Sequence, residues 1–234
     1  DVSVSGISYY DHGKRYDFLS RRPAFFKEID YVRLADDDKG AVQLRQIDKP
    51  DDASFSVLSN VVFLRLRSPY TAAGKTYPAG ALLALDFDKF LAGSRAFTMV
   101  FEPSPRTSYG YISATKNYFL LNTLENAASH VYLLKGEKEK FAGREITGKQ
   151  YKYSQVSAWG VDSDENDDYF MTVESFLTPT TLYLCNAAQE ATEKLKSQPQ
   201  FFPSDNLEVR QFEARSKDGT MVPYFLVAEK NLEL

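Results

Sequence analysis

The chain has 234 residues, of which 43% are hydrophobic and 14% aromatic, and its formal net charge is −4. That length allows one large all-β domain or two smaller ones, with a sizeable buried core. The charges are well mixed without a basic stripe, and no apolar run reaches the roughly 18 residues of a membrane span. We therefore expect no nucleic-acid partner and no membrane partner.

The two ends of the chain predict a longer parent protein. It begins with Asp1 rather than Met, which predicts a processed or cut N-terminus. Residues 1–20 carry no signal-peptide pattern, but with such an N-terminus this does not define the compartment. The chain stops at Leu234, shortly after a predicted strand, which predicts truncation.

Four copies of one apolar pattern recur along the chain at a spacing of about fifty residues. Each copy contains two apolar runs. The first runs begin at Tyr16, Val61, Tyr118 and Tyr169. The second runs begin at Tyr31, Leu82, Val131 and Leu182, at intervals of 51, 49 and 51 residues. Self-similarity with this period is typical of a propeller or another repeat array.

The first two copies each predict four antiparallel strands. In the first copy the strands are predicted at residues 2–10, 14–21, 29–35 and 41–46. In the second copy they are predicted at residues 54–58, 60–67, 81–86 and 97–101. Asp36–Gly40 predicts a hairpin turn, residues 71–80 a longer excursion, and Asp86–Gly93 a short helix with Gly93 as its end signal.

The last two copies repeat the same order of four strands. In the third copy they are predicted at residues 108–114, 117–124, 129–135 and 144–147. In the fourth copy they are predicted at residues 155–161, 168–176, 180–185 and 192–195. Four strands per repeat is the composition of a propeller blade. The sequence therefore predicts an all-β fold of about four four-stranded antiparallel blades over residues 1–197.

The pattern changes after the fourth copy. Residues 198–206 contain two prolines and predict a linker. Two new strands are predicted at residues 207–214 and 222–228, joined through Asp218-Gly219, a strong hairpin signal. This hairpin does not follow the fifty-residue repeat.

Few residues of the repeats suggest chemistry. No nucleophile elbow and no phosphate-binding glycine loop is present. The two histidines, His12 and His130, have no Cys or His neighbour at metal-ligand spacing, and we interpret both as solvated or hydrogen-bonded structural residues. The single cysteine, Cys185, excludes an intrachain disulfide. It takes a strand position where other copies have Leu, so we interpret it as a small buried hydrophobic residue.

Three further groups of residues have a binding interpretation beside a structural one. The acidic run Asp162–Asp168 resembles the start of an EF-hand loop, but Asp167 replaces the required Gly and Val173 the final Glu, so an exposed loop is the favoured interpretation. Trp159 is interpreted as a core residue. Five arginines at blade ends or on one strand face suggest a partner or an anionic ligand, or surface ion pairs of small energy. They are Arg21, Arg22, Arg65, Arg67 and Arg106.

The last part of the chain carries a specific resemblance. Residues 207–227, with Ser216-Lys217-Asp218-Gly219-Thr220 between two apolar strands and Pro223 after it, resemble the propeller-to-catalytic-domain junction of the prolyl oligopeptidase family. Ser175–Tyr183, in which Leu177-Thr178-Pro179 precedes an apolar strand, resembles the family's last blade. Residues 16–22 and 74–80 are similar to a bacterial branch of the same family.

The resemblance implies a seven-bladed propeller that caps a serine-peptidase domain. Such a propeller restricts access, so that only short peptides reach the active site, where cleavage is typically after proline by Ser-His-Asp acyl transfer. The four repeats would be part of this propeller, residues 198–206 the linker, and residues 207–234 the first hairpin of a truncated α/β-hydrolase domain. The chain ends before the family's catalytic residues. No catalytic, cofactor-binding or metal-binding residue is therefore assigned, and short peptides are expected to bind through the missing catalytic domain.

Two alternatives stay open. A free-standing four-bladed propeller would act as a protein- or ligand-binding module, but it would leave the terminal hairpin without a blade to join. A calcium-dependent sugar-binding propeller would rest on the acidic run alone. A partial array leaves two blade faces without neighbours. This predicts that the four blades close on themselves or that the chain forms a homodimer through exposed blade faces.

Overall fold

All described strand pairs in the computed structural model are antiparallel, and the strands form four four-stranded sheets and two separate hairpins. The structure describes residues 2–11, 13–34, 40–137, 140–148 and 151–232. His12 and the predicted turn at residues 36–39 lie outside this set. The predicted all-β fold with four-stranded antiparallel blades is confirmed.

The first half of the chain contains sheets 1 and 2. Sheet 1 consists of β1 (Ser3–Asp11), β2 (Lys14–Ala24), β3 (Lys27–Arg33) and β4 (Leu44–Gln46), in that order. Next come β5 (Ser54–Leu58), β6 (Val61–Arg65), β7 (Tyr70–Ala72), β8 (Lys75–Tyr77), β9 (Leu82–Asp86), α1 (Phe87–Leu91) and β10 (Thr98–Phe101). Sheet 2 has the order β5-β6-β9-β10, and β7 and β8 form a small hairpin of their own.

The second half contains sheets 3 and 4 and the terminal hairpin. Sheet 3 consists of β11 (Thr107–Ala114), β12 (Phe119–Glu125), β13 (Ala128–Glu137) and β14 (Lys140–Glu145). Sheet 4 consists of β15 (Gln155–Gly160), β16 (Asp168–Glu174), β17 (Thr181–Asn186) and β18 (Ala191–Ser197). The terminal hairpin pairs β19 (Leu207–Arg215) with β20 (Met221–Glu229). The second apolar run of every repeat lies in the third strand of its sheet, so the repeat predicted from the sequence is confirmed.

The chain forms two compact units. The first is Asp1–Ser104 with Gly136–Phe141, and the second is Pro105–Lys135 with Ala142–Leu234. Among the described residues, no helix has the length and apolar character that a membrane crossing requires.

The core of the first unit contains a group of packed aromatic rings. Sheet 1 contributes Tyr16 and Phe18, which meet Phe87 of α1 at ring-centre distances of 5.4 and 6.0 Å. In sheet 2, the inner residues of β6 and β9 are buried on both faces of the sheet. Strands covered on both faces read as continuous apolar runs rather than alternating ones, which is the pattern of Val61–Leu64 and Leu82–Leu85.

The predicted helix is present and the predicted excursion before it has a structure of its own. Asp86 caps α1 by accepting a hydrogen bond from the Lys89 backbone N–H at 2.9 Å, and the chain leaves the helix at Gly93 with φ 99°. The hairpin β7–β8 was not predicted. Its strands have three residues each, too few for a recognisable apolar pattern, and its turn places Ala73 at φ 47° and Gly74 at φ 76°.

Sheets 3 and 4 share the core of the second unit. Buried apolar residues of both sheets form one cluster, and Leu120, Val131 and Ala158 are among those with no exposed surface. The backbones approach closely at Gly160, where a Cβ atom would lie 1.9 Å from the carbonyl oxygen of Ala114. Only glycine fits this position without movement of the backbone.

One strand was predicted several residues too late. β14 runs over Lys140–Glu145, whereas the expected strand was residues 144–147. This strand has charged and exposed residues at an edge of the sheet, so no apolar run marks where it begins.

Candidate functional site

The terminal hairpin is the element of the second unit that lies outside the repeat. Its nine-residue strands pair in continuous register from Leu207–Glu229 to Arg215–Met221. Gly219 takes φ 89° in the turn, as the Asp-Gly signal predicts. Asp218 accepts a hydrogen bond from the Thr220 backbone N–H at 2.9 Å, and this bond lowers the pKa of the Asp218 carboxyl.

Polar contacts join the hairpin to sheet 3. The Gln211 side-chain amide donates to the carbonyl oxygen of Asn126 at 2.9 Å, in the turn between β12 and β13. Arg106, directly before β11, pairs with Glu213 at 3.3 Å. The ion pair is exposed and contributes little energy, whereas the hydrogen bond to a backbone carbonyl defines where β19 lies on the turn.

Aromatic contacts join the other strand of the hairpin to sheet 4. Phe225 of β20 packs against Phe176 at a ring-centre distance of 5.4 Å and edge-on against Tyr153 at 5.8 Å. Phe176 belongs to the turn between β16 and β17, in which the Ser175 hydroxyl accepts hydrogen bonds from the next turn residues. The turn is therefore rigid where it meets the hairpin.

The linker closes a groove beside this contact. Ser204 donates from its hydroxyl to the carbonyl of Leu177 at 3.2 Å, which fastens the linker to the same turn. The groove has a volume of about 370 Å³, and its apolar lining includes Phe176, Phe201, Phe202 and Phe225. Phe201 keeps 78% of its surface exposed, so the linker presents aromatic surface to its surroundings. We call the hairpin, the linker and the turns that they contact the junction.

His130 lies in β13 and is held by hydrogen bonds of sheet 3. Its Nδ1 atom lies 2.7 Å from Glu145 Oε1, and the Thr147 hydroxyl donates to the same oxygen at 2.6 Å. The bonds from Thr147 and His130 hold the pKa of the Glu145 carboxyl below its usual value, although burial opposes this shift. The pair lines a cavity of about 460 Å³ with Gln211 of the hairpin.

Cys185 is buried, as predicted from its position in the repeat. Only 2% of its surface is exposed. Burial raises the pKa of the Cys185 thiol, and hydrogen bonds with Thr192 and Tyr169 only partly oppose the shift. A thiol with a raised pKa forms less thiolate and is a poor nucleophile.

Carboxylate oxygens of the acidic run accept hydrogen bonds from other residues of the protein. Asp167 is buried and accepts hydrogen bonds from the Thr115 hydroxyl at 3.0 Å and from Asn117 at 2.8 Å. Asp168 accepts from the Asn186 side-chain amide at 2.7 Å. The run therefore fastens sheet 4 to the turn between β11 and β12. Among the described residues, no three His, Cys, Asp or Glu side chains converge in a way that could hold a metal ion.

Trp159 was expected in the core, and this prediction is wrong. It lies on β15 with 36% of its surface exposed and contacts Phe170 at 6.0 Å. Val156 and Ala158 are three and one positions before it, so they lie on the opposite face of the strand and fill the core instead. The strand alternates, and a single aromatic residue does not reveal which face it occupies.

The predicted arginines do not converge on one site in the described contacts. Arg22 pairs with Glu28 at 3.2 Å, Arg106 contacts the hairpin, and Arg67 stacks on an aromatic ring in the first unit. Arg21 and Arg65 also have interaction partners.

The residues that make the junction were only partly visible in the sequence. The hairpin and the Leu177-Thr178-Pro179 turn belong to the stretches that carried the resemblance. Asn126 and Tyr153 gave no signal. Gln211 and Asn126 are 85 positions apart, and a contact between a side chain and a distant carbonyl leaves no pattern in the sequence.

Comparison with known families identifies the class of the fold. The family model described as the prolyl oligopeptidase N-terminal β-propeller domain matches residues 32–198. The chain therefore contains a β-propeller domain of a peptidase family. It belongs to the prolyl oligopeptidase family.

Curated relatives and solved structures are consistent with this family. The chain is 35% identical over 172 residues to an uncharacterised peptidase, y4nA, of Sinorhizobium fredii, covering 72% of this chain and 23% of the relative. It is 27% identical over 222 residues to an uncharacterised peptidase, RP174, of Rickettsia prowazekii, covering 92% of this chain and 30% of the relative. The chain thus spans less than a third of the length of these relatives.

Two solved structures show the extent of the fold similarity. A post-proline cleaving enzyme from Rickettsia typhi superimposes with a TM-score of 0.78 at 25% identity, over 93% of this chain and 31% of that one. Oligopeptidase B from Trypanosoma brucei superimposes with a TM-score of 0.67 at 15% identity, over 100% of this chain and 33% of that one, which supports the fold alone.

Proposed function

We propose that this chain is the propeller part of a prolyl-oligopeptidase-type serine endopeptidase that hydrolyses short peptides, typically after proline. Residues 1–197 form part of the propeller and residues 198–206 the linker. Residues 207–234 open an α/β-hydrolase domain. The name of the similar Rickettsia typhi protein, a post-proline cleaving enzyme, supports the substrate class.

The observation that carries this proposal is the docked hairpin. It belongs to no sheet of the repeat, yet Gln211 and Phe225 fasten it to the turns of sheets 3 and 4. An isolated binding module has no use for such an element, whereas a two-domain peptidase needs one to connect its domains. The exposed aromatic rings of the linker support the same conclusion, because exposed apolar surface of this kind usually marks a contact with a further protein part.

The propeller's contribution is selection rather than chemistry. The nucleophile, base and oxyanion hole would come from the peptidase domain, by the acyl-transfer mechanism of serine peptidases. The propeller would limit the size of peptides that reach them. The repeats suit this purpose, since every described strand pairs with a neighbour in its sheet and the cores are buried.

The full-length protein tests the proposal. We expect it to react with a fluorophosphonate probe and to cleave proline-containing peptides. We further expect kcat/KM to fall steeply as the peptide is lengthened or embedded in a folded domain. The control peptides carry Ala in place of Pro. Failure to label and failure to cleave would contradict the peptidase assignment and favour the free-standing binding module. Cleavage that does not depend on peptide length would contradict the gating role alone.

A further inference from the structure

The turn between β2 and β3 exposes two adjacent phenylalanines. Phe25 keeps 84% and Phe26 58% of its surface exposed. Their rings meet edge to face at a centre distance of 4.6 Å and an interplanar angle of 88°. Single exposed apolar residues are common, but two aromatic rings packed together at the tip of a turn form a small binding platform.

A cation completes this platform. The guanidinium carbon of Arg67 lies 4.7 Å from the centre of the Phe26 ring. Arg67 follows β6, so the contact joins sheet 2 to the turn of sheet 1 within the first unit. A guanidinium stacked on a ring still presents the donors along its edge, and these suit a carboxylate. We call Phe25, Phe26 and Arg67 the aromatic platform.

Backbone pairing and polar contacts anchor the turn that carries Phe25 and Phe26. Ala24 pairs directly with Lys27, so the turn is tight. Arg22 and Glu28 form an ion pair across the two strands at 3.2 Å. The Glu28 backbone N–H also donates to the Asp51 carbonyl at 2.7 Å, which fastens the strand to the chain that leads into sheet 2. These contacts define the backbone of the two strands that carry the turn.

The position of the platform in the repeat indicates its role. It occupies the connection between the second and third strands of its sheet. In sheets 3 and 4 the same connection contains Asn126 and Phe176, two of the residues that contact the terminal hairpin. Connections at equivalent positions of a repeat often serve the same kind of contact. In the first sheet, Phe25 and Phe26 of this connection are exposed.

We propose that the aromatic platform is a substrate-selecting surface, which contacts an apolar or aromatic side chain of the peptide and a carboxylate next to it. This inference rests on the proposed peptidase function. A peptide is favoured as the occupant because the platform combines aromatic faces with a single cation. That combination complements a short segment with an aromatic and an acidic residue.

The test measures kcat/KM of the full-length enzyme on four matched proline-containing peptides. Each peptide carries one of the residue pairs Phe-Glu, Phe-Gln, Ser-Glu or Ser-Gln. One set of four peptides has the pair before the proline, and a second set has it after the proline. The variants are Phe25→Ser with Phe26→Ser, and Arg67→Gln. The matched controls are Val42→Ser, another exposed apolar residue, and Lys14→Gln, a cation that also lies over a ring but at the opposite end of sheet 1.

We expect the wild type to prefer Phe over Ser by about fivefold on one side of the proline, as for other aromatic contacts. The double phenylalanine variant should lose this preference. Arg67→Gln should instead lose a preference for Glu over Gln of about threefold, as for an exposed charge pair. The two control variants should keep both preferences.

Two results would overturn the inference. One is a wild type that shows neither preference, whether the residue pair lies before or after the proline. The other is an equal loss of kcat/KM for all four peptides, which would show that the platform contacts the peptidase domain rather than the substrate. A wild type that cleaves none of these peptides would contradict the proposed function itself, so the two failures are distinguishable.

Discussion

At the scale of single residues, the first unit contains a buried ion pair between Asp30 and Lys49. The two side chains are 3% and 1% exposed, and the charged atoms lie 3.0 Å apart. Asp30 Oδ2 faces the ammonium outside the direction of a hydrogen bond, so the contact is mainly electrostatic. The ammonium also donates to the carbonyls of Glu28 at 2.9 Å and Ala53 at 2.8 Å. It thereby joins β3 to the chain that leads into sheet 2.

Replacement of the lysine tests this interpretation. We expect Lys49→Met to lower the free energy of unfolding by about 3–5 kcal/mol, because it leaves a buried carboxylate without its partner. Urea denaturation followed by circular dichroism measures the change. The matched control is Lys27→Met, since Lys27 pairs with Asp51 at 2.9 Å but both side chains are about half exposed. That loss should stay below about 1 kcal/mol. Equal effects of the two substitutions would contradict the prediction.

At the scale of elements, a buried side chain of sheet 3 forms hydrogen bonds with the backbone of sheet 4. Asn122 on β12 is buried, and its amide donates to the Ala158 carbonyl at 3.0 Å. Its oxygen accepts from the Ala158 backbone N–H at 2.9 Å. β15 is an edge strand of sheet 4, and among the described strands none pairs with it on the side that faces sheet 3. Asn122 therefore takes the place of one residue of a neighbouring strand.

The effect of removing this bridge is measurable. We expect Asn122→Leu to destabilise the chain by about 1–3 kcal/mol, because the buried N–H of Ala158 loses its partner and its C=O keeps only the Tyr111 hydroxyl at 3.2 Å. Urea unfolding gives the difference, with Gln189→Leu at an exposed position as the control. A loss no larger than that of the control would show that water or backbone movement satisfies the two groups.

The observed strand bounds show which elements the sequence pattern predicts correctly. β5 was predicted with its observed bounds, since an apolar strand between turn residues is marked at both ends. β14 and the hairpin β7–β8 were not, because charged edge strands and three-residue strands carry too few apolar positions to be recognised. For the junction, the hairpin itself was predictable from Asp218-Gly219. Its contacts with Asn126 and Tyr153 were not, because they join residues far apart in the chain.

At the scale of the whole molecule, two sheets each have one face that is partly exposed. In sheet 1, Val4 is 59% exposed and shares its face with the half-buried Leu19 and Tyr31. In sheet 4, Trp159 shares its face with the half-buried Phe170 and Leu184. A sheet of a repeat protein buries such a face against its next neighbour. Each of the two faces therefore suits a further sheet.

We expect the 234-residue polypeptide on its own to self-associate through these faces. Sedimentation velocity across the micromolar range should show a mass that rises with concentration. Val4→Lys with Trp159→Lys should return the chain to a monomer, because each lysine places a charge in an apolar contact. The control is Val42→Lys, at an exposed position outside both sets of face residues. A wild type that stays monomeric and binds no hydrophobic dye would contradict the proposed homodimer.

The sequence by itself determined the repeat, the four-stranded composition of each blade and the terminal hairpin. These features depend on local order, since alternating or continuous apolar runs and turn residues act within a few positions of one another. The tertiary structure decided that Trp159 is exposed, that Asp167 fastens sheet 4 to a turn of sheet 3, and that Asn126 and Phe176 receive the hairpin. Such contacts join residues about 50 or more positions apart, and packing rather than local pattern selects them.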